Sequence, residues 1–435
     1  MTRRQFLKGS LAASLLEPVG TECFGTDETP SSSPQESALG KLILSAPLTH
    51  SDWMLKPGMR WGADGVHHML DACKDWGFRR IYWRVLDGGR SLYQSDLLRP
   101  MGRWDEDSYW SPKTESDKAL VHRFNPATTP DQQAALLKKF DRLDYASFDP
   151  FAEAIRYGHS LGLQIHAWVS INEDDHGWGL QSEFSKKHPQ FRWHGRAGKV
   201  YHSQLSFAFP EVREYKLAIL KELLAKYDLD GFFLDWIRTG DVRDNPQNDP
   251  AGVADYGYEE PFLKAYRDKF GKDAETVPNG DPDWVSLRAA PQTEFLRSIS
   301  KLIRSAKKQL PLSVMVGHPW HYRGLLDKID GNLRGLLLDV TTWAREGLID
   351  AAVGAGYYRD GGNAEFAWNA LRKETEAKVP VWLYGWVPQS VTDAEQNFAL
   401  ADKLNANQIL FWEADYIDDR ANAPELKAAM RKRSG

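Results

Sequence analysis

Eight short apolar runs alternate with eight amphipathic segments between residue 41 and the end of the chain. The runs do not show the every-other-residue polarity of a half-exposed strand, as expected for parallel strands covered on both faces. The segments between them carry apolar residues at helical spacing. This alternation predicts an α/β fold, a single (β/α)8 TIM barrel over residues 41–432. The predicted strands lie at 41–48, 79–89, 163–175, 231–234, 311–320, 349–358, 379–388 and 407–416.

The helices between these strands follow the same order along the chain. Two long stretches, 90–146 and 241–290, interrupt it as insertions after the second and fourth strands. The seventh predicted helix, 392–406, is expected to be capped by Thr392 or Asp393. An open doubly wound sheet is the alternative fold, but the glycine-rich phosphate turn that it needs after an early strand is not present. The predicted helices cover 62–78, 148–163, 210–229, 291–310, 336–348, 363–378, 392–406 and 423–433.

The N-terminal stretch "TRRQFLKGSLAASLL" has paired arginines at positions 3 and 4, followed by a short apolar run. This pattern is typical of a twin-arginine export signal, which we place at residues 1–25. A flexible Ser/Pro-rich leader is expected at 26–40. The apolar run is too short to cross a bilayer, so we expect no transmembrane anchor. The export signal predicts a periplasmic or secreted protein. A basic cytosolic tail is the alternative interpretation.

Acidic and aromatic residues follow the ends of the predicted strands, where the loops of a TIM barrel surround one shared cavity. Three acids are candidate catalytic residues: Asp235 after the fourth strand, Glu173 after the third and Glu413 after the eighth. Since side chains alternate along a strand, Asp235 points into the barrel if Phe233 does. The candidate substrate-binding residues are Arg84, Asp87, Trp168, Asn172, Arg238, His318, Trp320, Tyr357, Tyr384, Trp386 and Trp412.

Carboxyl groups surrounded by aromatic rings suit the cleavage of glycosidic bonds. One acid must stay protonated to assist the leaving oxygen, and another must stay ionised to attack or to activate water. Aromatic rings bind the apolar faces of sugars. In the competing interpretation, each acid only forms a structural ion pair at the end of its strand.

The stretch "DLDGFFLDWIR", together with "WAREGLIDAAVGAGYY" and "ILFW", resembles the glycosyl hydrolase-like family 10 proteins, exported bacterial barrels assigned to carbohydrate hydrolysis. By this resemblance Asp235 matches the acid of the family's fourth strand, Arg238 the basic residue after it, and Trp168 the tryptophan of the third strand. The sequence departs from the family at "LSFAFPEVR", where an Asp is lost near Ser206. The resemblance implies a carbohydrate substrate.

Two other functions remain open at this point. A glycan-binding barrel without turnover would keep the aromatic cleft and the fold. A metal-dependent hydrolase would need clustered histidines at the strand ends, and His50 stands alone there, so we predict neither metal nor cofactor. The near-balanced formal charge of −5 gives no basic surface for nucleic acid. The sequence makes no prediction of oligomeric state, sugar or linkage.

Overall fold

The computed structural model describes residues 42–102, 138, 140–174, 182–198, 200–235, 237, 256–306, 309–316, 331–354, 362–412, 414–417 and 423–434. The predicted export signal and leader lie outside these described residues. Among the described helices, none combines the length and apolar character needed to cross a membrane.

Eight parallel strands close into a barrel. Each strand pairs with the next along the chain, and the first pairs with both the second and the last, which closes the circle. The predicted TIM barrel is therefore confirmed, and closure excludes the open sheet. The barrel strands are β1 (Ile43–Leu48), β2 (Arg80–Asp87), β3 (Gln164–Ser170), β4 (Gly231–Asp235), β5 (Leu312–Met315), β6 (Ala351–Val353), β7 (Val381–Trp386) and β8 (Gln408–Trp412).

The helices cover the outside of the barrel and its loops. They are α1 (His50–Met54), α2 (Ala63–Asp75), α3 (Pro150–Ser160), α4 (Glu183–Lys187), α5 (Pro210–Lys226), α6 (Glu260–Phe270), α7 (Pro282–Arg304), α8 (Gly331–Leu336), α9 (Val340–Arg345), α10 (Gly362–Glu374), α11 (Val391–Leu404) and α12 (Pro424–Ser434). A short strand, Arg90–Ser91, pairs antiparallel with the end of β2. An antiparallel hairpin, Arg192–His194 with Val200–Leu205, precedes α5, and the sequence patterns did not predict it.

Three predicted helix starts are wrong. The helix predicted at 336–348 begins at Val340, because the Asp339 side chain accepts from the Thr342 amide and caps it there. Helix α7 begins at Pro282 rather than at Pro291, because the side chain of Asp281 accepts a hydrogen bond from the Trp284 amide and caps the helix there. Pro291 lies inside the helix. Helix α11 is capped by Ser390, whose hydroxyl accepts from the Asp393 amide, and not by either residue predicted for that role.

Large side chains fill the barrel interior. The rings of Tyr82 and Phe233 lie 4.7 Å apart, and those of Trp168 and Phe233 lie 6.4 Å apart. At the end where the strands begin, the Gln408 amide donates to the Ser45 hydroxyl at 2.8 Å and to the Tyr82 hydroxyl at 2.7 Å. These contacts satisfy polar groups at the N-terminal end of the strands. In TIM barrels the catalytic residues lie at the opposite, C-terminal end.

A second aromatic core lies between the hairpin that precedes α5 and the insertion between β4 and β5. Trp193 stacks on Phe262 at 5.9 Å, and Tyr258 contacts Trp284 at 5.3 Å. The buried Arg288 guanidinium lies 4.9 Å from the Trp284 ring. Part of the high tryptophan content therefore packs this insertion instead of binding a ligand.

Glu259, at the start of α6, is buried next to this second core and accepts a hydrogen bond from the His194 amide at 2.5 Å. Burial raises the pKa of Glu259 from its usual 4.5 to about 8. The folded protein therefore keeps this proton in a pH range where the unfolded chain releases it. The contribution of Glu259 to stability is complete below about pH 4.5 and is lost as the pH rises through about 8.

We expect Glu259→Gln to change the pH dependence of stability. The amide keeps an acceptor for His194 but cannot ionise, so the melting temperature of the variant should rise relative to the wild type between pH 5 and pH 9. Thermal melts across this range measure the difference. Glu260→Gln, on the exposed neighbour, is the control and should give no such trend; a pH-independent difference for both variants would contradict the prediction.

Candidate active site

Asp235 is the last residue of β4, and its side chain is buried at the C-terminal end of the barrel. Its register partner on β3 is Ser170. The indole N–H of Trp168 donates to Asp235 Oδ2 at 3.3 Å. This contact places the carboxylate on the same side as Trp168 and Phe233, which belong to the inner cluster of the barrel. Asp235 therefore occupies the barrel mouth, as the alternation along the strand predicts.

A buried guanidinium joins two more acids beside it. Arg84 Nη2 lies 2.8 Å from Glu173 Oε2 and 2.8 Å from Asp87 Oδ1, and it donates to the Ser170 hydroxyl at 3.0 Å. Arg84, Asp87 and Glu173 are all buried. Because Ser170 is the register partner of Asp235, the ends of β2, β3 and β4 bring the three acids into one region. Charges buried this deeply need such partners.

One nitrogen of the Arg84 guanidinium takes no part in these contacts. Its Nη1 atom is buried and finds no hydrogen-bond partner among the described residues. Its guanidinium carbon lies 4.7 Å from the Trp168 ring centroid, a cation–π contact that fixes the plane of the group. Arg84 Nη1 is therefore a buried donor that the described residues leave without an acceptor.

The segment after β3 is held by hydrogen bonds on several sides. The amide of Leu205 donates to Asn172 Oδ1 at 3.0 Å, so this predicted substrate-binding residue has a structural contact. Asp174 forms an ion pair with Lys216 of α5, and both side chains are fully buried. Lys216 was not predicted from the sequence. Its spacing from the buried Val212 and Ile219 on the same helix is the signal that marks it as an inward-facing lysine.

The predicted aromatic residues differ in how deeply their side chains are buried. Trp168 is buried between the Arg84 guanidinium and the ring of Trp412, whose centroid lies 5.1 Å away. Tyr384 is also buried and lies 5.4 Å from Trp412. Trp386 and Trp412, which are register partners at the ends of β7 and β8, are partly exposed. These two rings are thus placed to offer a surface to a ligand, whereas Trp168 supports Asp235.

His50 follows β1 and forms a separate buried group. Its ring stacks on Trp83 at 5.0 Å, and Nε2 lies 3.0 Å from the Tyr145 hydroxyl. Burial lowers the pKa of His50 to about 3, so the imidazole is neutral at physiological pH. Trp83 and Tyr145 were not singled out from the sequence, since their packing role depends on the loop before α3.

Five of the predicted site residues lie outside the described residues: Glu413, Arg238, His318, Trp320 and Tyr357. Within the described part of the chain, no group of three His, Cys, Asp or Glu side chains is arranged to hold a metal ion.

The barrel and its acid-and-aromatic mouth define the class of this protein as a glycoside hydrolase-like TIM barrel. The chain belongs to the glycosyl hydrolase-like 10 family, which matches residues 130–396, well over half of its length. The resemblance drawn from the strand motifs is therefore confirmed. No curated protein sequence matches the chain significantly.

Two solved glycoside hydrolase structures share the fold. The glycoside hydrolase domain of PgaB (BpsB) from Bordetella bronchiseptica has 10% identity and a TM-score of 0.58, covering 89% of this chain and 99% of that one. The catalytic domain of β-amylase from Paenibacillus polymyxa has 12% identity and a TM-score of 0.53, covering 90% and 98%. The α-L-fucosidase isoenzyme 2 of Paenibacillus thiaminolyticus has 13% identity and a TM-score of 0.49; this chain spans about half of it, 49%, with 90% of its own length.

We expect Arg84→Met to destabilise the protein by about 3–5 kcal/mol at pH 7, because Glu173 and Asp87 would be left as buried carboxylates without their guanidinium partner. Urea unfolding at pH 7 measures the loss.

Arg156→Met is the matched control, because Arg156 pairs with Glu153 on an exposed helix surface. It should change the unfolding free energy little at pH 7. Equal losses for the two arginine variants would contradict the structural role of Arg84.

Proposed function

We propose that this protein hydrolyses O-glycosidic bonds in a poly- or oligosaccharide, with Asp235 as the nucleophile or key acid. The observation that carries the proposal is the buried acid group of Asp87, Glu173 and Asp235, held by Arg84 and Trp168 at the C-terminal mouth of the barrel. This is the end at which TIM-barrel enzymes bind and transform substrates. Glycosidases need carboxyl groups on both sides of the scissile bond.

The chemistry can follow either of two stereochemical courses. In the retaining course, Asp235 bonds to the anomeric carbon while the bond to the leaving oxygen breaks, and a second carboxyl group gives its proton to that oxygen. Water then displaces Asp235 and returns a proton to the second group. In the inverting course, Asp235 takes a proton from the attacking water in a single step. Both courses need a second group that is protonated at the start.

Glu173 is poorly suited to be that proton donor. The Arg84 guanidinium at 2.8 Å favours its ionised form. We therefore propose Glu413 as the acid and Glu173 as a charged residue that orients Arg84. Glu413 lies outside the described residues, but it directly follows Trp412, whose ring contacts the indole that donates to Asp235.

Aromatic and polar residues at the same mouth are the proposed sugar contacts. Trp386 and Trp412 offer partly exposed rings for the apolar face of a sugar. Arg84 is buried and is proposed to hold Asp87 and Glu173 in place beneath the bound sugar. By their positions after strands in the sequence, Arg238, His318, Trp320 and Tyr357 are proposed to extend this surface.

We expect Asp235→Asn to lower turnover by about 10²- to 10⁴-fold while sugar binding persists, since the amide keeps the shape but neither attacks nor accepts a proton. The measurements are product release from a panel of poly- and oligosaccharides, read by mass, and calorimetric binding of the oligosaccharides. Asp71→Asn, on the exposed surface of α2, is the matched acid-to-amide control. Unchanged hydrolysis in Asp235→Asn would remove this residue from the mechanism.

The same assay separates the two candidates for the second carboxyl group. Glu413→Gln should slow hydrolysis of natural linkages but spare dinitrophenyl glycosides, because that leaving group departs without a proton. Glu173→Gln should slow both substrates alike. If Glu173→Gln alone spares the dinitrophenyl glycosides, the roles of the two residues must be exchanged.

A glycan-binding barrel without turnover is the second candidate function. It is favoured by the Arg84 ion pair, which engages Glu173 and so removes one described acid from proton donation. Calorimetric binding of an oligosaccharide by the wild-type protein, with no products from any tested polysaccharide, would identify this function.

We propose that the protein is exported by the twin-arginine route to the periplasm or beyond, on the strength of the "TRRQFLK" segment. Replacing Arg3 and Arg4 together by Lys should keep the full-length protein in the cytoplasm of a bacterial host, as measured by cell fractionation. A host without the twin-arginine translocase is the control and should give the same retention. Export of the double-lysine variant at the wild-type level would disprove the route.

A further inference from the structure

Lys216 and Asp174 form an ion pair beneath the candidate active site. Lys216 projects inward from α5, Asp174 directly follows Glu173, and both side chains are completely removed from solvent. Burial lowers the pKa of Lys216, while the contact with Asp174 and the nearby charge of Glu173 act in the opposite direction. The amide of Ser182, which caps α4, also donates to the Asp174 carbonyl at 2.8 Å.

Stability alone does not explain such a pair. Desolvating two charges costs several kcal/mol for each ion, and their mutual attraction often only balances this cost. Apolar residues of similar volume frequently stabilise a core as well or better. An ion pair is directional, unlike an apolar contact, and therefore fixes the position of the carboxylate.

Four consecutive residues after β3 are each held by a different part of the barrel. The Ile171 amide donates to the Asp235 carbonyl at 2.8 Å. Asn172 accepts from the last residue of the hairpin, and Glu173 pairs with the guanidinium from β2. Asp174 is the last of the four, and its ion pair with α5 anchors the far end of the segment.

We propose that Lys216 is a positioning residue, which through Asp174 holds segment 171–174 so that Glu173 and Arg84 keep their places beside Asp235. This role rests on the proposed function, since the segment matters for turnover only if these acids act on a substrate. Lys216 itself touches neither Asp235 nor Arg84 in any contact described above. It acts through the segment.

The test uses the full-length protein with the double substitution Asp174→Asn/Lys216→Met, which leaves no buried charge without a partner. Hydrogen–deuterium exchange resolved to single amides reports on Ile171, bonded to Asp235, and on Leu205, bonded to Asn172. Both amides should exchange at least about 10-fold faster in the double variant, while the melting temperature stays within about 5 °C of wild type. On a polysaccharide that the wild type hydrolyses, kcat should fall with little change in KM.

Lys226→Met is the matched control, because Lys226 lies on the same helix and pairs with Asp96 and Glu222 away from the segment. It should leave both amides unchanged. Unchanged exchange in the double variant would overturn the proposal, as would an equal rise throughout the protein. Faster local exchange with unaltered kcat would also overturn it.

Failure of the proposed function has a different signature. It appears as equal product release by the wild type and Asp235→Asn, or as none from either. The exchange measurement does not depend on turnover, so it still decides whether Lys216 holds the segment. If Lys216 holds the segment but the protein hydrolyses no glycan, the proposed role of Lys216 in turnover is wrong together with the proposed function.

Discussion

The barrel mouth depends on the buried guanidinium of Arg84. Two carboxylates, Asp87 and Glu173, lie within 2.8 Å of one of its nitrogens, and without that charge they would repel each other in a medium that screens poorly. The same group lies against the Trp168 ring, whose indole N–H reaches Asp235. One cation thus contacts two of the acids directly and is connected to the third through the Trp168 ring.

The barrel closure makes this linkage possible. Parallel strands in adjacent positions end at the same face, so residues from β2, β3 and β4 meet although about 150 positions of sequence separate the first from the last. The glycosidases that share the fold have only 10–12% identity with this chain. Such likeness fixes the architecture, and the chemistry has to be argued from the side chains at the mouth.

Aromatic residues serve two purposes in this molecule, and the burial of each side chain indicates which purpose it serves. Trp168 and the second core around Trp284 are fully buried and support other groups, whereas Trp386 and Trp412 reach the surface at the barrel mouth. Composition cannot distinguish these uses, because a tryptophan that packs and one that binds a sugar give the same residue count. The barrel position of each ring makes the distinction.

The sequence by itself determined the barrel and the direction of Asp235. Apolar runs of strand length, alternating with helical periodicity, leave few other folds, and the period of two carries Asp235 to the face of Phe233. Tertiary structure alone decided the partners: Arg84 between two acids, Lys216 beneath the segment after β3, and the hairpin before α5. These contacts join residues distant in the chain, and local patterns specify which way a side chain faces but not what it meets there.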